Sequence, residues 1–111
     1  MVWVPERGDV VWISLAPDIG REQAGRRPAV VLSPARYNDR VGLAVMCPIT
    51  SVVKGYPFEV RLPSGTGVHG VVLADQVKSL DWRERHAALI AHLPDETTAE
   101  VLQKLNTLLN R

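Results

Sequence analysis

The sequence predicts a mainly β protein with a C-terminal helix. Several short segments carry apolar residues at every second position, as strands do, whereas the last segment carries them at helical spacing. A chain of 111 residues has the length of one ordinary domain. Because no repeat, low-complexity tract or linker divides it, we expect residues 1–111 to form a single domain.

The alternating segments predict at least five strands. In the first, Val11, Ile13 and Leu15 share one face, and around Val60 the flanking Phe58 and Leu62 point inward with it. The sequence from Val71 onward predicts one or two strands. The other predicted strands are Gly8 to Ala16, Arg27 to Pro34, Leu43 to Thr50, Phe58 to Leu62 and a shorter one at Ala87 to Ala91.

The last segment predicts a helix whose apolar stripe follows Glu100. Its apolar residues follow the spacing of one helix face: Val101, Leu102, Leu105, Leu108 and Leu109. Thr97 and Glu100 match a capping box, and Asp95 or Glu96 would complement the positive end of the helix dipole. Short strands followed by one terminal helix predict a compact barrel closed by a helix.

Composition excludes several classes of protein. Hydrophobic residues make up 46% of the chain and charged residues 23%, as in globular domains. The apolar runs are far shorter than the roughly 18 residues of a membrane span, so no membrane association is predicted. The start, MVWVPERGD, lacks the pattern of a secretory signal, and the single cysteine, Cys47, precludes an internal disulfide. These features predict a cytoplasmic protein.

The formal net charge of +1 conceals a local excess of arginine. Between Pro17 and Arg40, five arginines stand against three carboxylates. The arginine side chain is suited to paired contacts with phosphate oxygens. The alternative is that these arginines only solvate loops.

The common catalytic motifs are absent from the sequence. His69, His86 and His92 are isolated, without the spacing that holds a metal, and no glycine-rich phosphate loop is present. Cys47 has no basic neighbour in sequence that would lower its pKa. An enzyme with this sequence is therefore expected to use no metal, no cofactor and no covalent intermediate.

One loop concentrates charge, the segment REQAGRRP from Arg21 to Pro28. It holds Glu22 and three guanidinium groups and leads into the second predicted strand. Two interpretations remain open at this point. The loop could bind a phosphate, or it could be a surface loop in which Glu22 pairs with Arg26 or Arg27.

With these residues in view, the chain resembles the MazF/PemK family of toxin ribonucleases over nearly its whole length. The segments that carry the resemblance are GDVVWISLAPDIGREQAGRRPAVVLSP (8–34), PIT (48–50), KGYPFEV (54–60) and LADQVKSLDWR (73–83). The resemblance implies an SH3-like barrel of the MazF/CcdB type with a C-terminal helix, a homodimer, and cleavage of single-stranded RNA at short sequences.

The resemblance also implies site residues. Arg27, before the proline of the second strand, and Thr50, at the end of the third, correspond to the pair usually taken as catalytic, and the loop carboxylate is Glu22. The resemblance implies attack by the RNA's own 2′-OH, which leaves a 2′,3′-cyclic phosphate and a 5′-OH. Glu22 is the expected base, Arg27 is expected to stabilise charge at phosphorus, and Thr50 to donate a hydrogen bond.

A plasmid-borne branch of the family departs from this sequence. It carries a histidine before the loop glutamate and an arginine two residues before the later aspartate, where this chain has Arg21 and Leu73. Asp75 is therefore expected to bind RNA or to support the structure. The residues expected to bind RNA are Arg21, Gln23, Arg26, Lys54, Tyr56, Asp75, Gln76 and Lys78. Trp82 is a further candidate for stacking on a base, whereas Phe58 is expected in the core and Trp12 in a dimer interface.

A toxin of this kind implies a cognate acidic antitoxin that inhibits it and is expected to co-repress the shared operon. Two other functions stay open. The first is a non-enzymatic gyrase poison of the CcdB type, which has the same fold; the set of Glu22, Arg27 and Thr50 argues against it. The second is a bare SH3-like interaction module, which would have no need of the EQAGRRP string.

Overall fold

The computed structural model describes residues 3–15 and 25–110. Within these residues the chain forms seven strands and two helices. In chain order they are β1 (Asp9–Ser14), β2 (Arg26–Val31), α1 (Ala35–Val41), β3 (Leu43–Thr50), β4 (Glu59–Arg61), β5 (Val71–Leu73), β6 (Lys78–Asp81), β7 (Ala88–His92) and α2 (Asp95–Leu109).

All seven strands belong to one antiparallel sheet with β3 at its centre. The order is β4-β5-β3-β2-β1-β7, and β6 also pairs with β3. One edge of β3 pairs with β2, and its other edge pairs first with β6 and then, at Ile49 and Thr50, with β5. The eight residues of β3 therefore connect both halves of the sheet.

The sheet buries apolar side chains on both faces. On β3, Cys47 and Ile49 belong to a first core, whereas Ala44 and Met46 belong to a second. The same alternation divides β2 and β1, because successive side chains of a strand point to opposite faces. Helix α2 covers the first core through Val101, Leu105 and, partly, Leu102. The second core is closed by Trp82.

Helix α1 is held by a buried asparagine. Asn38 is fully buried; its side-chain amide donates to the carbonyls of Pro5 (2.8 Å) and Ser33 (3.0 Å), and its own carbonyl accepts from Trp82 Nε1 (2.8 Å). Gly42 ends the helix in a left-handed conformation, at φ 83°. The strand and helix periodicities of the sequence did not predict this short helix.

Helix α2 has its N-cap three residues before Thr97, the predicted N-cap. Pro94 occupies the N-cap, without a capping hydrogen bond from a side chain, and Thr97 lies inside the first turn. The predicted capping box of Thr97 and Glu100 is therefore wrong, while Asp95 and Glu96 do lie in the first turn as expected. In the part of the chain that the structure describes, neither helix has the length and apolar character required to traverse a bilayer.

Candidate functional site

The sheet brings Arg27 and Thr50 to corresponding positions on neighbouring strands. In the pairing of β2 with β3, Val31 lies opposite Met46 and Ala29 lies opposite Pro48. Arg27 and Thr50 each lie two residues beyond this last pair, one on each strand. Both therefore extend the face that carries the second core. Arg27 is exposed and Thr50 is half-buried.

This face forms a groove with an apolar floor and a positively charged rim, which we call the basic groove. Its volume is about 440 Å³. The rim carries Arg27, Lys78 and Arg85, together with Thr50 and Gln76, and none of the described residues that line it is acidic. The floor consists of Ile13, Leu15, Pro28, Ala29, Met46, Pro48, Ile49, Leu73 and Leu80.

Arg85 is the rim residue that sequence reasoning missed. Its guanidinium donates to the carbonyls of Ser14 (2.9 Å) and Leu15 (3.3 Å) at the end of β1, while its own carbonyl accepts from the Ser14 amide (2.8 Å). These contacts join positions about 70 residues apart in the chain. Neither local spacing nor a motif in the sequence indicated this placement.

A second concavity adjoins the basic groove, and we call it the side pocket. It has a volume of about 470 Å³ and shares Thr50, Leu73 and Gln76 with the basic groove. Its remaining lining is Val52, Lys54, Tyr56, Glu59 and Asp75. Thr50 therefore lies where the two concavities meet.

The backbone of Thr50 is held against Gly70. Thr50 pairs with Val71 at the start of β5, and Gly70 lies just before it with φ 125°. A Cβ at Gly70 would collide with the carbonyl oxygen of Thr50 and lie 2.8 Å from its carbonyl carbon. The Thr50 hydroxyl accepts from the amide of Val52 at 3.1 Å, which leaves its hydrogen free to be donated to a ligand.

Most of the predicted site residues line one of these two concavities. Arg27 and Lys78 line the basic groove, Lys54, Tyr56 and Asp75 the side pocket, and Thr50 and Gln76 both. The predicted Arg21, Glu22 and Gln23 lie outside the described residues.

The structure places three other candidates away from the grooves. Arg26 is exposed and lies over the ring of Trp12, with 4.5 Å from its guanidinium carbon to the ring centre. Trp82 is only 4% exposed and packs in the second core, so the expectation that it stacks on a base is wrong. Phe58 is half-buried and packs against Tyr56.

The buried thiol of Cys47 is unsuited to act as a nucleophile. Burial raises the pKa of the Cys47 thiol to about 12, and the negative charge of Asp75 contributes to the increase. The thiol therefore stays protonated at neutral pH and is no nucleophile. Among residues 3–15 and 25–110, no group of three or more His, Cys, Asp or Glu side chains is arranged to hold a metal ion.

Comparison with known proteins agrees with this architecture. A family model of PemK-like, MazF-like toxins of type II toxin–antitoxin systems matches residues 6–109. The endoribonuclease toxin MazF of Escherichia coli K12 is 48% identical over 107 residues, which cover 96% of each chain. The endoribonuclease PemK of Escherichia coli is 36% identical over 94% of this chain and 81% of its own.

Solved structures match over nearly the full length. The crystal structure of MazF (Form-I) from Deinococcus radiodurans has a TM-score of 0.87 and 56% identity and covers 97% of this chain and 98% of its own. The MazE-MazF structure (Form-II) from the same organism has a TM-score of 0.89 and 51% identity, covering 98% of both chains. These matches confirm the predicted fold class and the family resemblance. The chain belongs to the family of PemK-like and MazF-like toxins of type II toxin–antitoxin systems.

Proposed function

We propose that this chain is a cytoplasmic toxin that arrests growth by cutting single-stranded RNA at specific sequences, without a metal ion. This proposal rests on the positions of Arg27 and Thr50, which lie on adjacent strands at the rim of the basic groove. Relatives that are 48% and 36% identical over nearly the whole chain are named endoribonucleases, which supports the same activity here.

The basic groove has the charge that a phosphodiester requires. Arg27, Lys78 and Arg85 line it, so a scissile phosphate and its neighbours would meet positive charge along one rim. Arginine can donate to two phosphate oxygens at once and so stabilise the charge that develops at phosphorus. Thr50 would donate its hydroxyl hydrogen to the same phosphate.

The proposed reaction uses the nucleophile that RNA itself provides. A base removes the proton of the 2′-OH, the 2′-oxygen bonds to phosphorus, and the bond from phosphorus to the 5′-oxygen breaks. The departing 5′-oxygen keeps the bonding electrons and takes up a proton, giving a 2′,3′-cyclic phosphate and a 5′-OH. DNA has no 2′-OH and is therefore expected to bind without being cut.

Glu22 is the proposed base. It belongs to the segment that joins β1 to β2, and the residues flanking residues 16–24 are joined by a hydrogen bond from the Leu15 amide to the Gly25 carbonyl at 3.3 Å. Leu15, the last described residue before this segment, lines the basic groove. Arg21 and Gln23 flank Glu22 in sequence and are proposed to bind RNA.

The proposed partners follow from the same groove and from the relatives. The similar MazF of Deinococcus radiodurans has been crystallised as MazE-MazF, which supports an antitoxin partner for this chain. We propose an acidic antitoxin segment that occupies the basic groove and excludes RNA, and a homodimer of the toxin. Co-repression of the operon remains a prediction.

The first prediction tests the reaction class. Purified protein incubated with single-stranded RNA in excess EDTA is expected to cut it, because Arg27, Lys78 and Arg85 supply the charge that a metal would otherwise provide. The products should carry a 5′-OH and a 2′,3′-cyclic phosphate, detectable by selective ligation and sequencing. Activity that disappears in EDTA and returns with a divalent ion would contradict the mechanism. No cleavage at all would favour a gyrase-poison type of toxin.

The second prediction concerns Glu22. Glu22→Gln preserves size and hydrogen bonding but cannot accept the 2′-OH proton, so single-turnover cleavage should slow strongly with little change in RNA affinity. The acidic limb of the wild-type pH–rate profile should disappear in this variant. If the limb persists, another group takes the proton; if affinity falls while the rate is preserved, Glu22 only orders the loop.

The third prediction concerns the support of Thr50. Gly70→Ala should force the Thr50 carbonyl to move and lower single-turnover cleavage by about 10²-fold, because displacements of about 1 Å at a reacting centre have this effect. Gly65→Ala is the matched control, since Gly65 has φ 87° but open space around its Cβ position. It should lose only about 1 kcal/mol of unfolding free energy through backbone strain and cleave normally.

Urea unfolding and cleavage kinetics of both variants provide the comparison. If Gly70→Ala cleaves as fast as Gly65→Ala while folded, the contact between Gly70 and Thr50 does not position the threonine for catalysis.

A further inference from the structure

The side pocket differs from the basic groove in charge, although the two meet at Thr50. The basic groove is lined by three cationic side chains, whereas the side pocket is lined by Glu59, Asp75 and a single cation, Lys54. A phosphate in the side pocket would be repelled by the two carboxylates that line it. The side pocket therefore suits an uncharged part of an RNA ligand.

Glu59 has a structural task within this pocket. Its two carboxylate oxygens accept hydrogen bonds from the backbone amides of Lys54 (3.0 Å) and Gly55 (3.1 Å). The Glu59 amide in turn donates to the carbonyl of Tyr56 at 3.0 Å. These bonds fix the loop that carries Tyr56 and give each Glu59 oxygen a partner, which is not the case for Asp75.

Asp75 uses little of its hydrogen-bonding capacity. Its Oδ2 accepts from the Tyr56 hydroxyl at 2.8 Å, and its Oδ1 is buried with no partner among the described residues. A carboxylate can accept about four hydrogen bonds, and a buried oxygen without one destabilises the fold. The hydrogen bond to Asp75 raises the pKa of the Tyr56 phenol, which keeps the phenol protonated. A carboxylate that lines a pocket and can accept further hydrogen bonds indicates a ligand with a hydrogen-bond donor.

Tyr56 offers a flat surface beside this acceptor. The side chain is 45% exposed and packs on Phe58, with 5.8 Å between ring centres and 47° between ring planes. An exposed aromatic ring next to a basic groove is a stacking platform for an unpaired base. The volume of about 470 Å³ lies within the roughly 300–1,000 Å³ of pockets that hold small ligands.

We propose that the side pocket holds the nucleobase next to the scissile phosphate, and that Asp75 selects a base with an exocyclic amino group over uracil. This assignment rests on the proposed ribonuclease function. Adenine, cytosine and guanine each carry an amino group that can donate to a carboxylate. Uracil has no amino group, and a carboxylate repels the two carbonyl oxygens that flank its one donor, the ring N3–H.

The test compares cleavage of a pool of random RNA by the wild type and by Asp75→Asn, with the 5′-OH ends sequenced. The wild type should disfavour uracil by about tenfold at one position adjacent to the cut. Asparagine presents both a donor and an acceptor, so Asp75→Asn should lose this preference and retain those at the other positions. An unchanged preference, or equal loss of preference at every position, would overturn the assignment.

Two further variants separate base selection from loop structure. Tyr56→Phe removes the hydroxyl but keeps the ring and the carboxylate, so it should retain the discrimination against uracil. If Asp75 only anchored the loop through Tyr56, Tyr56→Phe and Asp75→Asn would behave alike. Asp39→Asn, an exposed carboxylate on α1, is the matched control and should leave every preference unchanged.

A change in the substrate tests the proposal without depending on the folding of a variant. An oligonucleotide whose selected base lacks its amino group, such as purine in place of adenine, should be cut about tenfold more slowly by the wild type. Equal rates would contradict the assignment. A wild-type protein that cuts no RNA would refute the proposed function as well, whereas one that cuts without excluding uracil would refute the base assignment alone.

Discussion

The pairing of β3 on both of its edges is the interaction on which the fold and the site depend. The strand Leu43–Thr50 pairs through backbone hydrogen bonds with β2 on one edge and with β6 and β5 on the other. A shift of one residue in this register would exchange the two cores and turn Thr50 to the other face. The packing of Cys47 in one core and Met46 in the other therefore fixes which side chains reach the basic groove.

The site lies where the apolar side chains on one face of the sheet give way to polar ones. Beyond the last β2–β3 pair, side chains on the second-core face change from apolar to Arg27 and Thr50. The groove thus has a rigid apolar floor under a charged rim, which is the arrangement that holds catalytic groups in place before a substrate binds. The close approach of Gly70 extends this rigidity to the backbone of Thr50.

Local pattern predicted the elements with strong alternation and missed those made by distant contacts. The predicted third strand coincides with β3. The start of α2 was predicted too late, because its first turn after Pro94 is polar and lies before the apolar stripe. Helix α1 is organised by one buried amide, Asn38, which has no periodic signature. Arg85 and Trp82 are placed by contacts with residues far away in sequence, so the first was missed and the second was misassigned to the surface.

A double-mutant cycle of Arg27→Ala and Thr50→Ala tests the central claim that these two side chains act on one phosphate. Single-turnover cleavage by the folded single variants should fall, by about 10²-fold or more for Arg27→Ala. If both residues serve the same transition state, the double variant should be far less impaired than the product of the two single effects. Effects that multiply fully would show that Arg27 and Thr50 act independently, and the account of the basic groove would be wrong.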